Sequence, residues 1–310
     1  MGGLQGFHNY THLPWWASII LSTILMRGLL TFPLAVFQQY IMAKVENLKP
    51  EMEELVKELK KEMAVAIKKY NWDLKYARNV YSRSAQKIWR GLILRENCHP
   101  FKATVLLWVQ IPLWVALSMS FRNMASMMPH QDALAQVVFM ELSTGGLAWI
   151  PNLTDVDHSL ILPIVMGVTN LIITEVNVLS RVDTGSRLQS FATNLFRFIS
   201  VAIIPISATV PSCITLYWVT SSVCALVQNL ALMHPSVKRA CGVPIAPSEQ
   251  PHPYQHIRNQ FIKKLSRRNK QEKEEEEEEE TEVSQKEEKE LKKQERSFSL
   301  SDRNKGWTKR

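Results

Sequence analysis

The first apolar stretch, residues 15–40, constrains the fold more than any other part of the chain. It reads WWASIILSTILMRGLLTFPLAVFQQY and contains a single charged residue, Arg27. About 26 residues with a rise of ~1.5 Å each can cross the roughly 30 Å hydrocarbon layer of a bilayer. Arg27 would lie about 18 Å from either end, too deep for its side chain to reach the headgroups easily. The stretch therefore predicts a transmembrane helix with a charge near its midpoint.

The environment of Arg27 has two interpretations. An arginine at the centre of a membrane helix costs about 2.5–3.5 kcal/mol on insertion scales, so it should face protein or water. Thr23 and Thr31 lie four residues before and after it, and Gln38 lies near the same line, which makes one helix face polar. Arg27 is either a structural residue paired with a carboxylate of another helix or part of a hydrophilic site inside the membrane.

The apolar segments predict an all-α polytopic membrane protein with five transmembrane helices. The mean hydropathy of −0.11 hides a division, because apolar runs end near residue 240 and the rest is polar. The predicted spans are residues 15–40, 100–121, 159–180, 195–210 and 212–233. Residues 1–14 form an outer segment, residues 15–233 the core, and residues 234–310 a soluble tail.

Basic residues predict the topology. Residues 44–102 carry 14 Lys or Arg, whereas residues 122–158 carry one, Arg122. By the positive-inside rule the N-terminus is outside, and the large loop and the C-terminus are inside.

The inner loop, residues 44–97, predicts a helical hairpin. Apolar residues recur every three or four positions on both sides of the sequence NWD at residues 71–73. Two such stripes joined by a short turn can pack as an antiparallel coiled coil. A single amphipathic helix on the membrane surface is the alternative, because the segment is rich in lysine.

The tail, residues 234–310, is predicted to be disordered. It is Pro-rich, then basic at residues 263–270, then a run of glutamates at 274–280, and such a composition cannot bury enough apolar surface to fold. The basic part is a candidate contact for nucleic acid or a ribosome.

Polar residues of several spans lie at similar depth. The rise per residue places Gln110, Asn170 and the pair Ser221-Ser222 about 14–16 Å deep, level with Arg27. Glu175 and Gln228 lie nearer the inner end. We expect a water-filled groove that is open to the inner side and closed to the outer side, and its candidate residues are Arg27, Gln110, Asn170, Glu175, Ser221 and Gln228. For several of them a structural role is the alternative: Glu175 could reach headgroup water, and Asn170, Gln228 and Asn229 could join helices by hydrogen bonds.

Covalent chemistry is not predicted. The chain has no GxxxxGK[ST] or GxGxxG pattern. The pairs His8/His12 and His252/His256 have helical spacing but adjoin prolines, which argues against a metal site. We therefore expect no catalytic residue, metal or cofactor.

Several segments resemble one family, the YidC/Oxa membrane protein insertases. ILMRGLLTFPL resembles the first core helix of these proteins, with Arg27 at the position of their groove arginine. The charged hairpin, LLWVQIPLW, WIPNLTDVDHSLILPIVMG and ITLYWVTSSVCALVQN resemble the remaining core segments in order. The resemblance covers residues 15–233 and implies an insertase that acts on hydrophobic, newly made membrane proteins in the lipid bilayer.

Two further segments, NCHPFKATVLLW and the helix after KVENLKP, are most similar to the mitochondrial inner-membrane member that assists cytochrome c oxidase assembly. This similarity implies a location in the mitochondrial inner membrane, with the N-terminus in the intermembrane space and the C-terminus in the matrix. It also implies export of the C-terminal part of oxidase subunit 2, and it is compatible with assembly factors as partners. Asn152 stands where the family often has Asp. The glutamate run differs from the strongly basic ribosome-binding tails of some members, which argues against ribosome contact here.

Two other functions remain open. A non-translocating assembly scaffold for respiratory complexes would use Arg27 structurally and would tolerate its replacement by Met or Leu. A small-solute transporter would show polar groups on both sides of the midplane and often an internal repeat, and the sequence shows neither.

Overall fold

The computed structural model describes residues 2–128, 131–180, 187–266, 268 and 270. Within these residues the chain is all-α; extended pairing is limited to two isolated β-bridges. The helices are α1 (Gly2–Thr11), α2 (Trp15–Met26), α3 (Phe32–Asn47), α4 (Lys49–Tyr70), α5 (Leu74–Glu96), α6 (Val105–Ala125), α7 (Ala133–Thr144), α8 (Ile161–Ser180), α9 (Arg187–Ser207), α10 (Ser212–Met233), α11 (Pro235–Ala240) and α12 (residues 253–266).

Five helical segments of this described part are long and apolar enough to cross a membrane, which confirms the predicted fold class. They are Trp15–Tyr70, Pro100–Ala125, Ile161–Ser180, Gln189–Ser207 and Ser212–Met233. The fourth span differs most from its prediction, because its helix, α9, begins at Arg187 rather than at residue 195. The first two turns of α9 contain polar residues, so hydropathy alone placed the start of the helix too late. We call the end of the bundle that carries α7 the outer end, and the end that carries α4 and α5 the inner end.

A π-helical turn, Arg27–Thr31, joins α2 to α3. It ends two residues before Pro33, whose ring would clash with the Leu29 carbonyl in a regular α-helix. The wider turn instead lets the Phe32 N–H donate to the Arg27 carbonyl, five residues back. The sequence predicted one transmembrane helix over residues 15–40, but not this π-helical turn.

The outer half of the bundle is a packed apolar core. Its fully buried members include Phe121, Leu142, Leu153 and Cys213, contributed by α6, α7, the loop before α8 and α10. Backbone hydrogen bonds hold that loop in place: the Leu153 N–H donates to the Leu142 carbonyl (3.1 Å), and the Cys213 N–H donates to the Leu153 carbonyl (2.9 Å). This half of the bundle therefore has a closed outer end.

Small residues bring α8 and α9 close together. A Cβ added to Gly167 would lie 2.4 Å from Cγ1 of Ile204 and 3.1 Å from the Ser200 carbonyl oxygen. The absence of a side chain at Gly167 therefore lets the two helices approach closely, which is typical of helices that associate within a membrane.

The inner loop forms the predicted helical hairpin. Asn71 ends α4 in the left-handed conformation (φ 53°), and α5 returns from Leu74. The base of the hairpin is packed around Leu48, Leu92 and Cys98.

An exposed ion pair also joins the two helices at this base. Arg95 Nη1 and Nη2 donate to the two carboxylate oxygens of Glu51 at 2.8 and 2.6 Å. These hydrogen bonds lower the pKa of Glu51 below its usual value. A group whose folded pKa is lowered stabilises the fold above its unfolded pKa, and loses that contribution as the pH falls through the folded value.

We therefore expect the hairpin base to loosen in acid. Amide exchange in the first turn of α4 should speed up as the pH falls through the Glu51 pKa, after correction for the intrinsic rate. The effect should be small, and salt should weaken it, because both side chains are exposed. Glu51→Gln should show no such pH step; the same step in this variant would assign the titration to another group.

The chain after the fifth span first packs back onto α3. Val243 and Ala246 join a small cluster with Ala43, and Asn47 Nδ2 donates to the Ile245 carbonyl (2.9 Å). Residues from Tyr254 onward belong to a second compact unit, of which the structure describes α12 and residues 268 and 270. The prediction that the tail is disordered from residue 234 was wrong for its first part, because α11 and α12 are helical and Val243 and Ala246 pack against α3. The rest of the predicted disordered tail, beyond residue 270, lies outside the described residues.

Candidate functional site

The side chain of Arg27 contacts the fifth span. Its Nε and Nη2 both donate to Ser221 Oγ, at 3.0 and 2.5 Å. Ser221 is buried on α10 and Arg27 is half-buried at the start of the π turn. The sequence placed these two residues at the same depth, and the structure brings them into contact.

A carboxylate partner for Arg27 is missing from the described part of the chain, where the ion pairs involve other residues. This disfavours the interpretation of Arg27 as one half of a structural ion pair. A serine hydroxyl satisfies hydrogen bonds of the guanidinium but leaves its charge uncompensated. An uncompensated charge inside a membrane protein is costly, and such residues usually serve a function.

The backbone of Arg27 is held as firmly as its side chain. Its carbonyl accepts from the Phe32 N–H of the π turn, from Thr31 Oγ1 (2.8 Å) and from Gln228 Nε2 (3.1 Å). Gln228 lies on α10, two turns after Ser221. The fifth span therefore fixes both ends of Arg27, and with them the shape of the π turn.

Arg27 and Ser221 line a small, partly open cavity. Its polar lining consists of Thr23, Arg27, Thr31, Gln110 and Ser221, and its apolar lining of Met26, Leu113, Trp114, Leu117 and Tyr217. The polar groups offer several hydrogen-bond partners, which a water molecule needs in order to occupy such a space.

The floor of this cavity is the outer core. Tyr217 belongs to that core, and Trp114 and Leu117 pack against it. Two contacts reinforce the floor: Trp114 stacks on Trp218 with a ring separation of 5.2 Å, and Trp218 Nε1 donates to Ser118 Oγ (2.8 Å). The cavity thus ends at a packed layer towards the outer end.

Three of the predicted groove residues, Asn170, Glu175 and Gln228, do not line the cavity, although Gln228 donates to the Arg27 carbonyl beside it. Glu175 Oε1 accepts from Arg197 Nε (2.5 Å), in an ion pair between α8 and α9. Asn170 is half-buried on α8, and its carbonyl accepts from Thr174 Oγ1 (3.0 Å). Four of the six candidates, Arg27, Gln110, Ser221 and Gln228, are therefore brought together, and two lie elsewhere.

The sequence analysis missed the apolar lining, of which Tyr217 and Trp114 are the aromatic members. Tyr217 lies four residues before Ser221 and so on the same face of α10, a spacing that could have identified it. Trp114 stands four residues after Gln110 on α6 in the same way. Their apolar rings were read only as part of a hydrophobic span.

Comparisons with known proteins agree with this architecture. The model of the 60Kd inner membrane protein family matches residues 6–239. The mouse protein "Cytochrome c oxidase assembly protein COX18, mitochondrial" is 43% identical over 267 residues, which cover 86% of this chain and 80% of the relative. Its human counterpart is 44% identical over 261 residues, covering 84% and 78%.

A more distant relative is "Mitochondrial inner membrane protein OXA1" of Arabidopsis thaliana, 28% identical over 244 residues, which cover 79% of this chain and 51% of the relative. The family match covers all five spans and the hairpin, which confirms the resemblance drawn from the sequence motifs. The chain belongs to the 60Kd inner membrane protein family, also called the YidC/Oxa family.

Proposed function

We propose that the chain is a membrane protein insertase that moves polar segments of newly made membrane proteins into a groove centred on Arg27. One observation carries the proposal: a half-buried guanidinium, held by the Ser221 hydroxyl, lines a partly polar cavity that ends at a packed outer core. Family membership supports the same activity.

The physical task of such a groove is to lower a desolvation barrier. A polar segment that enters hydrocarbon loses hydrogen bonds to water, at several kcal/mol for each unsatisfied group. A cavity that holds water to the depth of Arg27 shortens the apolar path that remains. The charge of Arg27 attracts acidic groups on the passenger, and insertion then proceeds through hydrophobic burial of the passenger's own span and the membrane potential.

The closed outer end argues against a small-solute transporter. A transporter opens a polar pathway on each side of the site in turn, whereas the outer half of α10, from Ser212 to Val219, is packed in the core and faces no such pathway. An insertase needs only the inner half, because its passenger can leave sideways into lipid.

The proposed location is the mitochondrial inner membrane, with the N-terminus in the intermembrane space and the C-terminus in the matrix. The names of the mouse and human relatives, at 43% and 44% identity, support the organelle. The basic residues of the hairpin support the orientation. We further propose the C-terminal part of cytochrome c oxidase subunit 2 as the passenger, since these relatives are cytochrome c oxidase assembly proteins by name.

The test is export in mitochondria that lack their own relative of this chain. Protease access to the C-terminal domain of oxidase subunit 2, added outside the inner membrane, reports export. Restored access after expression of this chain supports the proposal. Unrestored access, with the chain present in the inner membrane at normal abundance, would contradict the choice of passenger.

Gln228→Leu tests whether the π turn positions Arg27. The variant loses the hydrogen bond to the Arg27 carbonyl and keeps the charge, so we expect export to fall about threefold to tenfold, the loss of roughly 1 kcal/mol. Asn229→Leu is the matched control, because it breaks an interhelical bond to Asn177 Oδ1 (2.8 Å) away from the cavity. Equal losses in both variants would mean that α10 packing, rather than the position of Arg27, limits export.

A further inference from the structure

Helix α12 and the residues just after it carry a concentrated positive charge. Residues 254–270 contain six Lys or Arg and no Asp or Glu. This is a separate feature from the groove, because it belongs to the second compact unit.

The same helix has an exposed apolar face. Tyr254, Ile257, Phe261 and Leu265 follow each other at intervals of three and four residues, which places them on one side of a helix. The exposed fractions are 51% for Phe261, 56% for the adjacent Ile262 and 37% for Leu265. Polar residues such as Asn259 and Lys263 occupy the opposite side.

The chain keeps the start of α12 within reach of the inner membrane surface. Ala246 packs with Ala43 near the inner end of the first span. Six residues lie between Ala246 and the first residue of α12, and the seven extended steps that join them span at most about 25 Å.

We propose that α12 binds the surface of an anionic bilayer, with Phe261, Ile262 and Leu265 inserted among the headgroups and with Arg258 and Lys263 paired with lipid phosphates. Helices whose apolar face is accompanied by basic residues bind membranes in this way, and each basic residue near an anionic surface adds attraction. A nucleic acid would use the basic residues alone and would leave the exposed Phe261, Ile262 and Leu265 without a role. The lipid surface therefore accounts for both the apolar face and the basic residues of α12.

The experiment uses the purified full chain in lipid nanodiscs, which expose both membrane faces. Trypsin cleavage after Arg258 and Lys263 is followed by mass spectrometry, in discs of phosphatidylcholine alone and in discs with one part in four phosphatidylglycerol. We expect cleavage about tenfold slower in the anionic discs. Phe261→Ser with Leu265→Ser should remove most of this protection. Asn259→Ser with Gln260→Ser, which changes the polar face without changing charge, should retain it.

Three results would overturn the proposal. The first is equal cleavage in both kinds of disc. The second is equal protection of the two double variants, which would mean that the apolar face does not contact lipid. The third is protection by a duplex RNA added to neutral discs without any protection by anionic lipid, which would assign the helix to nucleic acid.

Discussion

Arg27→Ala is expected to lower passenger export at least tenfold while the protein accumulates as well as the wild type. Hydrogen bonds to a charged group contribute about 1.5–3 kcal/mol. If the passenger loses such bonds to the guanidinium while it crosses the barrier, the rate of export falls roughly 10- to 100-fold. The structure predicts the opposite sign for stability. Removing a charge that lacks a carboxylate partner in the described bundle relieves an insertion cost of about 2.5–3.5 kcal/mol.

Two milder variants separate the charge of Arg27 from its orientation. Arg27→Lys keeps the charge but cannot offer two donors to one hydroxyl, and Ser221→Ala keeps the guanidinium but removes its anchor. Both should lie between the wild type and Arg27→Ala in the subunit 2 protease assay. Arg122→Ala, at the exposed outer end of α6, is the charge-loss control and should export normally.

A scaffold that does not translocate gives a different pattern. It uses Arg27 only to hold helices together, so Arg27→Leu should then support export like the wild type. That result, at equal abundance, would remove Arg27 from the mechanism and favour the scaffold.

The spans and the hairpin could be predicted from sequence because hydropathy and heptad spacing act locally. The depth of the site residues could also be predicted, since depth follows from the rise per residue and the approximate span ends. Gln110 and Ser221 could be placed at the depth of Arg27 for this reason, and both line the cavity. Helix ends were predicted less accurately where the terminal turns contain polar residues, as in the first turns of α9.

The rotation of each helix could not be predicted, because it depends on packing between helices. Asn170 has the right depth but lies on α8, whose orientation is set by contacts such as Gly167 against Ile204. The π turn adds a second source of error. It inserts one extra residue into the turn and so rotates the following part of the helix by about 100°. Gln38, predicted near the line of Arg27, does not line the cavity.

Gly146→Ala should open the outer end of the bundle. A Cβ at this position would lie 2.1 Å from the Ile150 carbonyl oxygen and 2.3 Å from that of Pro151. Both atoms are backbone, so the loop itself must move. Leu147 and Ile150 exchange two backbone hydrogen bonds in this turn (2.8 and 2.7 Å), and the strain should cost about 1–3 kcal/mol, as overpacking of a close-packed core does.

Cys213 is a native reporter of this opening. Its side chain is fully buried, and its N–H donates to the carbonyl of Leu153, in the loop that follows the Gly146 turn. In nanodiscs, a maleimide that does not enter lipid should label Cys213 about tenfold or more faster in Gly146→Ala than in the wild type, as local opening becomes more frequent. Labelling sites are distinguished by peptide mass.

Gly91→Ala is the matched control for this substitution. The added Cβ would have no atom within 4 Å, and alanine in an exposed helix such as α5 stabilises by about 1 kcal/mol relative to glycine. Cys213 labelling should therefore stay at the wild-type rate. If Gly146→Ala also leaves that rate unchanged, the loop does not seal the outer end of the bundle. Packing within the core, such as that of Phe121 against Tyr217, would then keep the outer end closed.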